Sequence, residues 1–292
     1  MKTKLLFVVL VLECIIYVNL KSKLVSNAKH VININSSVDI NSVKLENYLI
    51  GVVAAEMPAT FSFEALKAQA VASRTFAYKK IVSGSLTYDD LYKDKGQAYI
   101  TIDEMKDKWK DSYDIYYETI KSAVRETNKE IIVYNDKPIN AYYFSSSNGF
   151  TEDSKYVFGE EEYLSSVEIP SDTENKEYLS YKEIKTDEFK VKLGISDSEI
   201  TISNIVRSNT NHILTIEINK KKYTGVEIRK LLDLRSTDFD INVSENIINV
   251  TTRGYGHGVG MSQNGANYLA KEGKNYKEII NYFYKNVRIE KM

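Results

Sequence analysis

The sequence holds a single cysteine, Cys14, and it falls inside an apolar run near the N terminus. The rest of the chain therefore has no disulfide and no thiolate to offer a metal. Histidine is scarce as well. His30, His212 and His257 stand far apart with no HExxH or paired spacing, so neither a structural metal nor a cofactor is predicted. Arginine occurs seven times and the net charge is −1, which leaves no electrostatic footprint for nucleic acid. Dinucleotide and P-loop signatures are missing too: the glycine-rich stretch "RGYGHGVG" at 253–260 is spaced GxGxGxG, and no GK[ST] follows.

Long apolar runs are nearly absent. Lys2 and Lys4 precede "LLFVVLVLECIIYV" at 5–18, which is shorter than the roughly 20 residues that span a bilayer and is interrupted by Glu13. Residues 1–20 read as an export segment, retained as a single-pass anchor that leaves the rest outside the cytoplasmic membrane. Cleavage near Ser26-Asn27-Ala28, giving a secreted protein, is the alternative. Residues 21–37 read as a polar tether, and 38–292 as the folded part.

What is present suits an ordinary globular protein. With 292 residues, 43% apolar and 27% charged, the chain is large enough for one big core or two lobes. Its 22 tyrosines fit either sugar stacking or a general bias toward Lys, Asn, Ile and Tyr. Helical periodicity from Val43 to Glu56 is stopped by Pro58, and a second helix runs from an N-cap at Ser62 to about Ile81. Residues 85–112 carry loop signals, 113–127 a third helix, and 130–149 two strands joined at Asn135-Asp136. Residues 152–198 are mixed and acidic. Short strands follow at 200–206, 212–219, 239–243 and 246–252, with a helix near 226–232 and two more from about Ser262 and Tyr276. Without a βαβ rhythm this predicts an α+β fold, a helix-rich core with short mixed strands, two lobes around a cleft, and an inserted lobe over about 152–250.

Glu56 is the residue that most needs explaining. It ends the run "GVVAAE", with no charged neighbour between Glu46 and Glu64. At 3.6 residues per turn it projects along the line of Leu45 and Leu49, so it closes an apolar stripe. Apolar walls raise a carboxyl's pKa, and a carboxyl still protonated near neutral pH can act as a general acid. A structural glutamate held by a buried cation fits the same position. Lys67 and Arg74 lie two turns apart on one face of the second helix, and the short link 57–61 allows them to face back toward Glu56. Pairing of Lys67 with Glu64 and burial of Arg74 in an ion pair are the plainer readings. The glycines at 254, 256, 258 and 260 suggest a loop that delivers backbone N–H groups to an anion or polar ligand at a helix start, with His257 either in the site or propping the loop.

"LENYLIGVVAAEMPATFSFEALKAQAVASRTFA" (45–77) and "GYGHGVGMSQNGANYLA" (254–270) together closely resemble the stage II sporulation protein D family, which includes amidase-enhancer proteins. "NAYYFSSSNGFTED" (140–153) resembles its third, weaker signature. The resemblance implies a membrane-anchored lytic transglycosylase that cuts peptidoglycan glycan strands stripped of stem peptides by a partner cell-wall amidase. It also implies membrane partners of the engulfment machinery and a role in septal wall remodelling around the forespore. Glu56 matches the glutamate of the EMP motif, the catalytic acid/base, and Lys67 and Arg74 match positions associated with activity. With them, Tyr143, Ser145, His257 and Gln263 are the expected substrate-binding residues. Some relatives carry a Cys/His zinc site near the third signature. Here Ser145, Ser146 and Ser147 stand there instead, and no zinc is predicted. A two-carboxylate hydrolase using Glu64 or an acid from 152–162, and a non-catalytic glycan-binding enhancer of an amidase, are the rival readings.

Overall fold

The computed structural model describes residues 39–93, 96–176 and 178–292. The N-terminal apolar run and the tether lie outside these residues. Among the described residues, no helix is long and apolar enough to cross a membrane. Residues Lys44–Met292 form one compact unit. The fold is α+β, as expected. Two lobes are not seen as such, but the apolar residues gather in two separate clusters.

The first cluster is built on two helices, α1 (Ile40–Glu56) and α2 (Phe63–Val82). Leu45, Tyr48, Leu49, Val52 and Val53 of α1 are fully buried. In α2 an almost unbroken row from Ala65 to Thr75 is buried, because alanine, serine and glycine-sized side chains let neighbours approach from every side. Ser62 does occupy the N-cap position, but its side chain makes no capping bond; its N–H donates instead to Asn267 Oδ1 at 2.8 Å.

The stretch expected to be loop contains a helix, α3 (Ile102–Trp109), which opens on a full capping box between Thr101 and Glu104. Then come α4 (Tyr113–Glu126), the hairpin of β1 (Glu130–Tyr134) and β2 (Lys137–Pro138), and β3 (Tyr143–Phe144). Asn135 and Asp136 turn that hairpin with φ of 49° and 59°, the left-handed pair that a two-residue turn requires. Tyr163, Leu164, Val167 and Ile169 also belong to the first cluster, so the mixed stretch after 152 begins as part of it.

The second cluster lies between two three-stranded antiparallel sheets and two helices. In chain order its elements are β4 (Leu179–Lys185), α5 (Thr186–Leu193), β5 (Ile202–Arg207), β6 (Ile213–Ile218), β7 (Lys221–Thr224), α6 (Gly225–Leu232), β8 (Phe239–Val243) and β9 (Ile247–Arg253). Alternation does the work here: in β9, Ile248, Val250 and Thr252 point inward while Ile247 is exposed. The chain then returns to the first cluster through the glycine-rich loop, β10 (Met261–Ser262), α7 (Gln263–Lys271), α8 (Tyr276–Phe283) and β11 (Arg288–Lys291). β10 pairs parallel with β3, and β11 pairs antiparallel with β1. That return brings the glycine-rich loop and the third signature side by side.

Candidate active site

Glu56 is the last residue of α1, half-buried at the point where two cavities meet. The larger, about 690 Å³, is an open cleft lined by Phe61, Lys108, Trp109, Tyr116, Ser145, Gln263 and the link from Met57 to Thr60, among others. The smaller, about 270 Å³, is lined by Phe76, Tyr142, Tyr143, Phe158 and His257. Among the described residues that line either cavity, Glu56 is the one carboxylic acid.

The Glu56 carboxyl is held by neutral groups. Oε1 accepts the Ala98 N–H at 2.8 Å and, loosely, the Tyr143 hydroxyl at 3.5 Å, while Gln263 bonds the same carboxyl. Burial raises the Glu56 pKa above the ordinary carboxylate range, and these hydrogen bonds offset part of that rise. Among the described residues, the groups bonded to this carboxyl are uncharged.

Behind the carboxyl the polar groups continue inward. Gln97 Nε2 donates to the Tyr143 hydroxyl at 2.8 Å and to Ser73 O at 3.2 Å. Gln263 Nε2 reaches Gln69 Oε1 at 3.4 Å, and Gln69 donates to Ser73 Oγ at 3.0 Å. Tyr143, Ser145 and Gln263 thus lie with Glu56 around the two cavities. Ser145 also hands its carbonyl to Asn264, which donates to it from both its backbone and its side chain.

Lys67 and Arg74 do not join them. Arg74 is fully buried, and its guanidinium forks onto both oxygens of Glu46 at 2.7 Å and reaches the carbonyls of Val124 and Glu130. It holds α2 against α1, α4 and β1, and cannot touch a glycan from there. Lys67 pairs with Glu64 at 2.5 Å and lies over the Phe63 and Tyr276 rings. The short link does press the two helices together, but the Lys67–Arg74 face turns away from Glu56. Glu64 is likewise engaged, accepting the Tyr276 N–H at 2.8 Å, and lines neither cavity.

His257 lines the smaller pocket, but its ring is bonded within the protein. Nδ1 accepts the Val259 N–H at 3.1 Å, and the ring bonds the Tyr143 backbone. Tyr142, Phe144 and Phe158 surround it, and burial pushes its pKa down to about 4. It is a neutral prop of the loop. The N–H groups at the start of α7 are taken within the protein. Gly265 N–H at the start of α7 is capped by Ser262 Oγ at 3.1 Å, and Asn264 N–H is taken by Ser145 O at 3.0 Å. The glycines serve close approach: at Gly260 a Cβ would sit 2.0 Å from the carbonyl oxygen of Tyr142.

Sequence reasoning missed Gln97, Ala98, Lys108, Trp109 and Tyr116. The Thr101–Glu104 capping box would have revealed α3, and with it Lys108 and Trp109 on one wall of the cleft. Nothing local marks Gln97 or Ala98. Among the described residues, no group of three or more His, Cys, Asp or Glu could hold a metal ion.

Fold and site together define an α+β protein built around one desolvated carboxylic acid in an open, aromatic-lined cleft. A family model described as stage II sporulation protein matches residues 34–134. Stage II sporulation protein D of Bacillus subtilis (strain 168) is 42% identical over 266 residues, covering 87% of this chain and 76% of that protein. Its counterpart from Bacillus amyloliquefaciens is 40% identical over 269 residues, with the same coverage of 87% and 76%. The chain belongs to the stage II sporulation protein D family. An amidase enhancer of Bacillus subtilis (strain 168) is more distant, 25% identical over 81% of this chain and 39% of that protein.

Proposed function

We propose that the protein is a peptidoglycan lytic transglycosylase in which Glu56 alone is the acid and the base. The observation that carries this reading is the solitary acid: Glu56 has a raised pKa and stands where two cavities meet, with no second carboxylate among their described lining residues. Hydrolysing glycosidases usually place two carboxyl groups across the bond, one of them to activate water or to attack the sugar. An intramolecular cut needs one. The Glu56 carboxyl gives its proton to the departing glycosidic oxygen. The resulting carboxylate then takes the proton of the sugar's own 6-hydroxyl, whose oxygen closes onto C1. The products are a 1,6-anhydro end and a new hydroxyl, and Glu56 regains its proton. Trp109, Tyr116 and Phe61 supply apolar faces on which pyranose rings stack.

The substrate is glycan from which stem peptides have been stripped, and the partner is the cell-wall amidase that strips it; the amidase-enhancer relative supports that pairing. Kinship with the stage II sporulation proteins supports a place in septal wall remodelling during engulfment, with membrane partners there. The apolar segment at 5–18 anchors the chain in the cytoplasmic membrane with the catalytic part outside. Digestion of peptide-stripped strands with the purified protein, followed by mass analysis, tests the chemistry. Anhydro ends, lighter by one water than hydrolysis products, are expected. Reducing ends would assign a hydrolase, and no cleavage beside a faster partner amidase would assign an enhancer.

A further inference from the structure

Gly51 lies in the middle of α1, about one and a half turns before Glu56. A mid-helix glycine is destabilising against alanine, so its presence there asks for a reason. The reason is contact. A Cβ at Gly51 would sit 2.2 Å from Cε2 of Tyr99 and 2.7 Å from the carbonyl oxygen of Ile100. The chain at 99–100 thus lies directly on the bare helix backbone, where Ile100 N–H also donates to Gly51 O at 3.3 Å. The Tyr99 ring is held from outside as well, stacked on Tyr48 at 5.6 Å and edge-on to Tyr92 at 5.2 Å.

This same short segment ends at the carboxyl by two routes. Ala98 N–H donates straight to Glu56 Oε1 at 2.8 Å. Gln97, buried beside it, donates at 2.8 Å to the Tyr143 hydroxyl, which in turn lies 3.5 Å from the same Oε1. We propose that residues 97–100 are the positioning segment of Glu56, seated on α1 through Gly51, and that this seat fixes the orientation of the carboxyl through its Oε1. The inference deepens the proposed reaction and rests on Glu56 being its acid. It supplies what a one-carboxyl mechanism needs: a carboxyl held in one orientation by its Oε1 while it gives the proton and takes one back.

The test reads the segment and the chemistry separately. In the purified protein the Ala98 amide resonance is expected to move with pH in step with the Glu56 carboxyl carbon, and to stop doing so in Glu56→Gln. Gly51→Ala is expected to break that coupling and to lower kcat about ten- to a hundredfold with little change in KM, the scale of a reacting group misplaced by about 1 Å. Tyr99→Ala unclamps the segment without adding a clash and is expected to act in the same direction, more weakly; it decides the matter if Gly51→Ala does not fold. An Ala98 amide blind to Glu56, or one that still follows it in both variants with kcat unchanged, overturns the inference. If the protein cuts no glycan yet the amide follows Glu56 and the variants abolish this, the positioning stands and the proposed reaction falls.

Discussion

The two hydrophobic clusters are held together by different means. In the first, around α1 and α2, Arg74 is buried outright and forked onto Glu46, inside a mass of small and aliphatic side chains. In the second, between the sheets of 179–253, a buried carboxylate is shared among several donors at the edge of the cluster. There Asp238 is buried and accepts from Arg207, Arg253, Asn148 and Asn211, while Asp240 bridges the same two arginines from a half-exposed position. The first cluster carries the catalytic candidate and nearly all of its cleft. The second lends no side chain to either cavity among the described residues, but it backs the walls. Ser208 bonds Glu152 at 2.5 Å, and His212 packs against Gly258. The difference teaches that the candidate carboxyl sits at the end of a tightly packed helix pair, while the β-rich region packs against the loops beside it.

Four substitutions and one treatment would sharpen or break that contrast. The largest effect is expected from Glu56→Gln, which keeps shape but has no proton to give. Glycan cleavage should fall by roughly two to four orders of magnitude, with the circular dichroism spectrum and melting point retained. Near-normal turnover would remove Glu56 from the chemistry. Arg74→Met, by contrast, should strike the fold. Leaving Glu46 without its partner should cost about 3–5 kcal/mol in denaturant unfolding, and a loss below 1 kcal/mol would mean that the pair does not anchor the first cluster.

His257, between the two regions, should make the protein sensitive to acid. Its folded pKa of about 4 lies below the ordinary value of 6.5, so the fold favours the neutral ring. The stability this contributes is complete above 6.5 and is lost as pH falls toward 4; allowing for the part of the ring that faces the pocket, the loss is ~2 kcal/mol. Urea midpoints measured across that range should decline in the unaltered protein and flatten in His257→Gln; equal slopes would place the acid sensitivity elsewhere.

Asp238→Asn should cost ~1–3 kcal/mol of stability, yet leave the folded fraction cutting glycan at close to the unaltered rate. A fall as deep as that of Glu56→Gln would show that the second cluster belongs to the reaction and not only to its support. The smallest expected effect is none at all. EDTA or a stronger zinc chelator should change neither activity nor melting temperature, and a loss restored by zinc would reveal a metal that the serines at 145–147 gave no reason to expect.

Much of this was legible along the chain because local forces set it. The apolar line Leu45–Leu49–Val52 ended at Glu56, and that placed a carboxyl against apolar walls. Asn135-Asp136 announced its turn, and inward alternation at 247–252 announced its strand. The residues misjudged share one cause. α2 buries nearly every side, so two-turn spacing put Lys67 and Arg74 on one face without saying what that face meets. It meets Glu46, Glu64 and α4. Ser262 caps its helix, and the glycines before it let the neighbouring chain at 142–147 approach closely.

The sequence by itself determined the helix that carries Glu56, the proline that stops it there and the apolar stripe it terminates, since each depends on residues within a few turns. Only the tertiary structure decided what the carboxyl touches. The Ala98 amide, Tyr143 and Gln263 come from segments 42, 87 and 207 residues away along the chain, and contacts over such separations are fixed by how the elements pack, not by any local preference.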